Sequence, residues 1–211
     1  MQNVAALPFD LLFNPFAQLR LSIRASATDI VDAAEDAVVD GHLNDADAQR
    51  LRQTLLNPKQ RLAAELAWLP EATPSQAKEF LKAIENYRGA DGDENLVLQA
   101  RGMSLANIAA SFVGRQPGQM RWVDCLVTAY ADVDSDDLQV CLSAVHEVAG
   151  LTRVDATDID ACLADLAKRH AANVVLSMRA LGSARSSKLN EIVERALEEG
   201  DQNSVAFCAG V

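Results

Sequence analysis

The side chains that could perform acid–base or nucleophilic chemistry are few in this chain and far apart. Of its three histidines, His42 lies in a predicted loop, His146 near the edge of an apolar helix stripe, and His170 on another such stripe. No nucleophile elbow, phosphate-binding glycine loop or paired-histidine zinc motif accompanies them. For His170 a satisfied, partly buried ring is the simpler interpretation. We therefore predict no catalytic residue, no cofactor and no enzyme activity.

Carboxylates cluster at two predicted helix starts, in the sets Asp134, Asp136, Asp137 and Asp155, Asp158, Asp160. Such sets could hold a metal ion or act as acids. At a helix start, however, a carboxylate accepts hydrogen bonds from free backbone N–H groups and interacts favourably with the helix dipole. We expect these residues to cap helices and not to bind metal.

The four cysteines, Cys125, Cys141, Cys162 and Cys208, are widely spaced and have no histidine at zinc-ligand distance in the sequence. The first three fall at core positions of predicted helices. We predict free, buried thiols in a reducing compartment, whereas Cys208 lies in a short tail where it could be exposed.

The most uneven charge distribution is in the predicted helix Thr28–Val39. Its charged residues are Asp29, Asp32, Glu35 and Asp36, with Asp40 directly after it, and it contains no Lys or Arg. Residues 29, 32 and 36 share one helix face because they are three and four positions apart. This face is either merely solvated or a docking surface for a basic partner.

A second stretch, Ala167 to Asn190, carries only positive charge, at Lys168, Arg169, Arg179, Arg185 and Lys188. It could bind an anionic ligand or an acidic surface. No aromatic side chain is interleaved for base stacking, so nucleic-acid binding is not favoured over charges spread around a helix. Trp122, which follows Arg115 and Arg121, is either a residue at the core edge or an exposed partner-binding anchor.

The composition favours a helical globular protein with an acidic surface. The chain has 211 residues, 49% of them hydrophobic and 5% aromatic, and a formal net charge of −11. This charge disfavours binding to nucleic acid or to anionic lipid. The first ten residues lack a basic segment and a continuous apolar one, and no window is long and apolar enough to span a membrane, so we expect the cytoplasm.

Apolar residues recur with helical spacing along the whole chain, which predicts an all-α fold. Pro70 should end one helix, and Thr73-Pro-Ser-Gln76 should start the next as a capping box. We predict a helical domain over residues 1–72, a helical bundle or small helical array over 73–200, and a tail over 201–211. The predicted core of the first domain is Leu19, Ile30, Leu51, Leu55 and Leu62.

Three segments of the first domain resemble the J-domain of DnaJ-like proteins. They are Asn14-Pro-Phe-Ala-Gln-Leu-Arg-Leu21, then Ala25-Ser-Ala-Thr-Asp-Ile30, and finally the third-helix end and fourth helix in Gln53-Thr-Leu-Leu-Asn-Pro-Lys-Gln-Arg61-Leu-Ala-Ala-Glu-Leu66. The resemblance covers about residues 14–70. It implies a four-helix unit and a DnaK-like chaperone as partner.

Two features of the J-domain family are missing here. The loop that should carry the His-Pro-Asp tripeptide instead reads Asp40-Gly-His-Leu-Asn-Asp45, and the second helix, basic in the family, is acidic. The resemblance therefore does not extend to stimulation of ATP hydrolysis by a DnaK-type chaperone.

The resulting prediction is a non-enzymatic, J-domain-like adaptor that binds a protein partner, either a DnaK-like chaperone or another basic protein surface. One alternative is a self-assembling structural or regulatory helical protein. A weaker alternative is anion or nucleic-acid binding through the basic stretch. The oligomeric state is left open by the sequence.

Overall fold

The computed structural model describes residues 8–87, 97, 99–116, 118–181, 194 and 207. Within this part the chain forms a short 3-10 helix and nine α-helices, and no β-strand, so the fold is all-α as predicted. The 3-10 helix is Leu11–Phe13, and the α-helices are α1 Pro15–Gln18, α2 Ala27–Val39, α3 Asp45–Leu56, α4 Pro58–Leu66, α5 Pro74–Asn86, α6 Gly102–Arg115, α7 Met120–Ala131, α8 Ser135–Ala149 and α9 Ala156–Leu181.

Helices α1 and α4 start in the same way. In each, an asparagine side chain accepts a hydrogen bond from a free backbone N–H and a proline occupies the first helical position: Asn14 accepts from Phe16 and Asn57 from Gln60. Proline is well suited to this position because its missing N–H would have no partner there.

The capping box predicted at the start of α5 is present, formed by Thr73 and Gln76. Ser26 and Asp29 cap α2 in the same reciprocal way, and this helix begins at Ala27, one residue before the predicted Thr28. Asp134 accepts from the backbone of Asp136 and Asp137 at the start of α8, and Asp155 accepts from Thr157 before α9. The capping role predicted for these two aspartates is confirmed.

All five core residues predicted for the first domain are buried. The hydrophobic core does not stop at residue 72, because α9 packs on α4 and one continuous cluster joins Phe16 to residues of α6, α7 and α9. The position 72/73 is therefore a turn between packed helices. Of the predicted tail, only Phe207 is described: it is buried, and its ring stacks on Tyr130 with 4.7 Å between centroids. Of residues 182–200, only Glu194 is described, and it is helical and exposed.

Helix α6 is buried on all sides, with every residue from Met103 to Val113 except Leu105 classed as core. Gly114 lies near the end of this helix, which continues to Arg115. Gly114 allows a close approach: a Cβ atom there would lie 2.7 Å from the side-chain nitrogen of Asn173. The glycine is needed for helix packing and not for a cap.

Buried polar side chains pair backbone groups that would otherwise be unsatisfied. Asn107 of α6 donates to the carbonyl oxygens of Leu66, the last residue of α4, and of Trp68 just after it, 2.7 and 2.6 Å away. Asn173 of α9 pairs with both the N–H and the carbonyl of Phe9. These contacts fix the N-terminal segment and α4 against the later helices.

The start of α6 is capped from a distant segment. Arg101, at the N-cap position, makes no side-chain cap hydrogen bond. The carboxylate of Glu71 instead accepts from the backbone N–H groups of Met103 and Ser104, 2.9 and 2.8 Å away. This negative charge also lies at the end of the helix where the dipole favours it.

Replacing Leu55 with Ala should lower the free energy of unfolding by about 2–5 kcal/mol, because the Leu55 side chain is 1% exposed and its removal leaves a cavity. The neighbouring Leu56 is 43% exposed, so Leu56→Ala is a matched control and should cost much less. Urea unfolding monitored by circular dichroism measures both. Equal losses for the two variants would contradict the burial of Leu55 and the exposure of Leu56 on α3.

Candidate functional site

The carboxylates predicted to bind a partner lie on one exposed side of α2. This helix buries Ile30, Ala34 and Ala37 and packs against α3. Its polar side presents Asp29, Asp32, Glu35 and Asp36 to solvent. We call these four residues the acidic face. Among the residues that the structure describes, Asp32, Glu35 and Asp36 take part in no ion pair.

Asp29 differs from the other three residues of the acidic face because it also holds the helix start together. Its carboxylate accepts hydrogen bonds from the backbone N–H and the hydroxyl of Ser26, at 2.7 and 2.8 Å. These bonds hold the pKa of Asp29 below its ordinary value, and the bond from the Ser26 backbone contributes most. A change at Asp29 would therefore disturb the helix as well as the surface charge.

Trp122 is not an exposed anchor. Its side chain is 3% exposed and stacks on Phe112, with 4.3 Å between ring centroids and 18° between planes. The guanidinium of Arg121 lies 5.2 Å from the centroid of the indole ring. The prediction of Trp122 as an exposed partner-binding residue is therefore wrong. Trp122 is a core residue, because α7 turns its apolar side toward α6.

The described cations of the basic stretch do not converge on one site. Lys168 pairs with Asp165 at 3.1 Å, and the Arg169 guanidinium lies over the Phe9 ring at 5.2 Å. Arg179 is exposed near the end of α9. It lies eleven residues after Lys168, a separation of about 16 Å along the helix axis. Arg185 and Lys188 lie outside the described residues.

His170 is a core residue, more deeply buried than its sequence predicts. Its side chain is fully buried, and its Nδ1 atom forms a hydrogen bond with the hydroxyl of Tyr130 at 3.0 Å. Burial, assisted by the charge of Arg169, lowers the pKa of His170 well below its ordinary value. The ring is therefore neutral and has no access to a substrate. His42 lies exposed in the turn between α2 and α3.

The most unusual cluster in this structure, a buried network of three ionisable side chains, is not among the sites predicted from the sequence. Glu65 of α4 is fully buried. One of its carboxylate oxygens accepts from Arg61 Nε at 2.7 Å, and the other faces His146 Nε2 of α8 at 2.7 Å. Arg61, itself 1% exposed, also donates to the carbonyl oxygens of Ile23 and Ala25 at 2.8 and 2.9 Å.

The hydrogen-bond partners of His146 determine its charge. Its Nδ1 atom lies 2.8 Å from the carbonyl oxygen of Thr152, which can only accept, so Nδ1 carries a proton. Its Nε2 atom faces a carboxylate and donates to it when the ring is an imidazolium. Burial opposes the charged form, but the hydrogen bond and the charge of Glu65 raise the pKa of His146 above its ordinary value.

This network is suited to holding helices together and not to catalysis. Both oxygens of the Glu65 carboxylate already have partners, and none of the three side chains is open to solvent. Arg61 and Glu65 are four residues apart on one helix, a spacing from which their pairing could have been predicted. The partnership with His146, 81 residues later in the sequence, could not.

Other reactive groups offer no site in the described part of the chain, where no cluster of potential metal ligands is found. Cys125, Cys141 and Cys162 are free and half-buried. Burial raises the pKa of all three thiols, that of Cys125 to about 11, so they are protonated at neutral pH. Cys208 lies outside the described residues. No described helix combines the length and apolarity that crossing a membrane requires.

Replacing Glu65 with Gln should lower the free energy of unfolding by about 3–5 kcal/mol, because it leaves the buried Arg61 without a counter-charge. As a control, Asp47→Asn removes the exposed ion pair between Asp47 and Arg50 and should cost less than about 1 kcal/mol. Chemical denaturation of the two variants measures the difference. Similar losses would show that the charge of Glu65 is unimportant for stability.

The raised pKa of His146 predicts a pH-dependent contribution to stability. A proton bound more tightly in the folded chain stabilises it, so this contribution is complete below the unfolded pKa of 6.5 and is lost as the pH rises through the raised folded pKa. The difference in unfolding free energy between the wild type and His146→Gln should therefore be larger at pH 5.5 than at pH 9. Burial lowers the pKa of His170 equally in both proteins, so the contribution of His170 cancels in this difference. A difference that does not change with pH would contradict the prediction.

Comparison with models of known protein families, with curated proteins and with solved structures finds no match for this chain.

Proposed function

We propose that this protein is a non-enzymatic adaptor whose acidic face on α2 docks on a basic surface of a partner protein. The observation that carries the proposal is the row of exposed carboxylates at Asp32, Glu35 and Asp36, which have no cationic partner among the described residues. No ion pair among the described residues neutralises this face, so its charge is available to attract a partner.

The placement of these carboxylates supports long-range recognition. They lie on a helix whose other side is anchored in the core, so they are presented on a rigid element. A surface of one sign steers a partner of the opposite sign toward it and disfavours partners of the same sign. With a formal net charge of −11, the chain as a whole adds to this preference for basic partners.

The J-domain resemblance stays part of this proposal. In that family the second helix contacts the chaperone, and here the corresponding helix is α2 with reversed charge. The partner is then a chaperone or chaperone-like ATPase whose docking surface is basic, contacted without the usual stimulation of ATP hydrolysis. Asp40-Gly41-His42, in the turn after α2, is exposed and available to the same partner.

A second candidate function, self-association, is favoured by an exposed apolar stripe on α8. Val140 and Val148 are 72% and 71% exposed, and they share a face because eight residues make a little over two helical turns. Sedimentation analysis of the wild type and of Val140→Lys/Val148→Lys distinguishes this function from the first. If the chain self-associates through this stripe, the wild type should sediment as an oligomer and the double variant as a monomer.

The acidic face should be essential for partner capture. Changing Asp32, Glu35 and Asp36 together to Lys should abolish capture of a basic partner, because attraction becomes repulsion, while leaving Asp29 and the helix start intact. The control changes three exposed carboxylates on other helices, Glu85, Glu147 and Asp160, to Lys and has the same net charge. Stoichiometric pull-down, followed by binding of the identified partner at increasing salt, measures the effect.

Circular dichroism should show the same helix content in both triple variants. Binding by the wild type should also weaken as salt rises, since the Debye length is only about 8 Å at physiological ionic strength. Partner binding that survives the acidic-face variant, or that the control variant loses equally, would place the interface elsewhere.

A further inference from the structure

A second surface of opposite character lies between the turn after α1 and helix α5. It is an open groove of about 470 Å³ with an apolar floor that includes Phe16, Leu21, Trp68 and Leu81. Two cations, Arg20 and Lys78, also line it, and none of the lining residues that the structure describes is acidic. We call it the cationic groove. Its volume is in the range of sites that bind small molecules or several side chains of a partner.

The charge of this groove is contrary to that of the whole chain, which carries 30 acidic and 19 basic residues. Arg20 and Lys78 are both exposed, and among the described residues neither takes part in an ion pair. An apolar floor beside two unneutralised cations complements a ligand that combines apolar groups with carboxylates.

The backbone at Arg20 is fixed in a conformation that disfavours its side chain. Arg20 has a φ of 55° and is the only residue other than glycine with positive φ in the described part of the chain. The turn is closed by hydrogen bonds from Arg20 N–H to Ala17 and from Leu21 N–H to Phe16, at 3.1 and 2.8 Å. Glycine is the usual residue at such a helix end. An arginine therefore occupies position 20, at the edge of the groove, although glycine would adopt this backbone conformation more easily.

We propose that the cationic groove binds an acidic amphipathic segment of a partner protein, with apolar side chains on its floor and carboxylates at Arg20 and Lys78. Arginine and carboxylate groups match in geometry and form paired hydrogen bonds. A helical segment with apolar residues three and four positions apart presents the anchors that such a groove receives.

Two other occupants fit less well. A small molecule needs polar groups that fix its orientation, and the described residues of the groove lining include no buried charged, hydroxyl or amide side chain. A second copy of the chain offers carboxylates on α2, but Ile30, Ala34 and Ala37 of that helix are buried in its own fold. Val39 is the one large apolar side chain that α2 exposes, so the helix has no row of apolar anchors for the groove. The groove lies on other helices than the acidic face of α2 and has the opposite charge. Its test therefore does not depend on the proposed function.

Three labelled peptides of about twelve residues test the chemistry of the occupant by fluorescence anisotropy with the full-length chain. The first has leucines at helical spacing of three and four and glutamates between them. The second replaces the glutamates with lysine, and the third replaces the leucines with serine. The first should bind at least about tenfold more tightly than either control, because only it satisfies both the floor and the cations. Equal binding of all three, or preference for the lysine peptide, would overturn the proposal.

Protein variants then locate the binding surface. Arg20→Gly suits the backbone at this position, so Arg20→Gly/Lys78→Glu should keep the fold while weakening the glutamate–leucine peptide about tenfold. Ala77→Phe, which fills the groove, should weaken it similarly. The control Arg50→Ala/Lys168→Glu removes two exposed cations elsewhere and should bind normally.

Thermal unfolding of each variant shows that the fold is kept. Unchanged affinity in both groove variants would overturn the proposal, and so would equal weakening in the control. A wild-type dimer that the groove variants dissociate would also overturn it, because the occupant would then be a second copy.

Discussion

The buried carboxylate of Glu65 constrains how several segments of this protein pack together. Glu65 is fully buried, and a buried charge is tolerated only with partners that neutralise it and complete its hydrogen bonds. Arg61 supplies one such partner and is itself held by the carbonyl oxygens of Ile23 and Ala25, before α2. His146 supplies the other from α8. One charge thus determines how the segment before α2, helix α4 and helix α8 must meet.

The same demand for polar partners is met around α6 by neutral side chains. This helix is enclosed by its neighbours, and short helices next to it leave carbonyl and N–H groups without partners inside the core. Asn107 and Asn173 satisfy them, and Glu71 caps the start of α6 from the turn before α5. Amide and carboxylate side chains inside this core therefore join segments that are distant in the sequence, and apolar packing alone would not specify their register.

The buried polar side chains described above join segments of the fold, whereas the surface differs in charge from place to place. The acidic face on α2 and the cationic groove beside α5 are built from side chains that the described residues leave without ion-pair partners. Both are carried on helices whose opposite sides are fixed in the core. An adaptor with these two surfaces would hold a basic and an acidic partner at once, and would need no reactive group to do so.

The sequence by itself determined what local interactions decide. The all-α fold, the starts of α1, α2, α4 and α5, the aspartate caps and the burial of Leu19, Ile30, Leu51, Leu55 and Leu62 follow from hydrogen bonds within four residues and from helical periodicity. Only the tertiary structure decided that Trp122 is enclosed, that Gly114 admits Asn173 and that Glu65 meets His146. The physical reason is that an amphipathic pattern shows which side of a helix is buried but not which helix covers it, and these contacts join residues far apart in the chain.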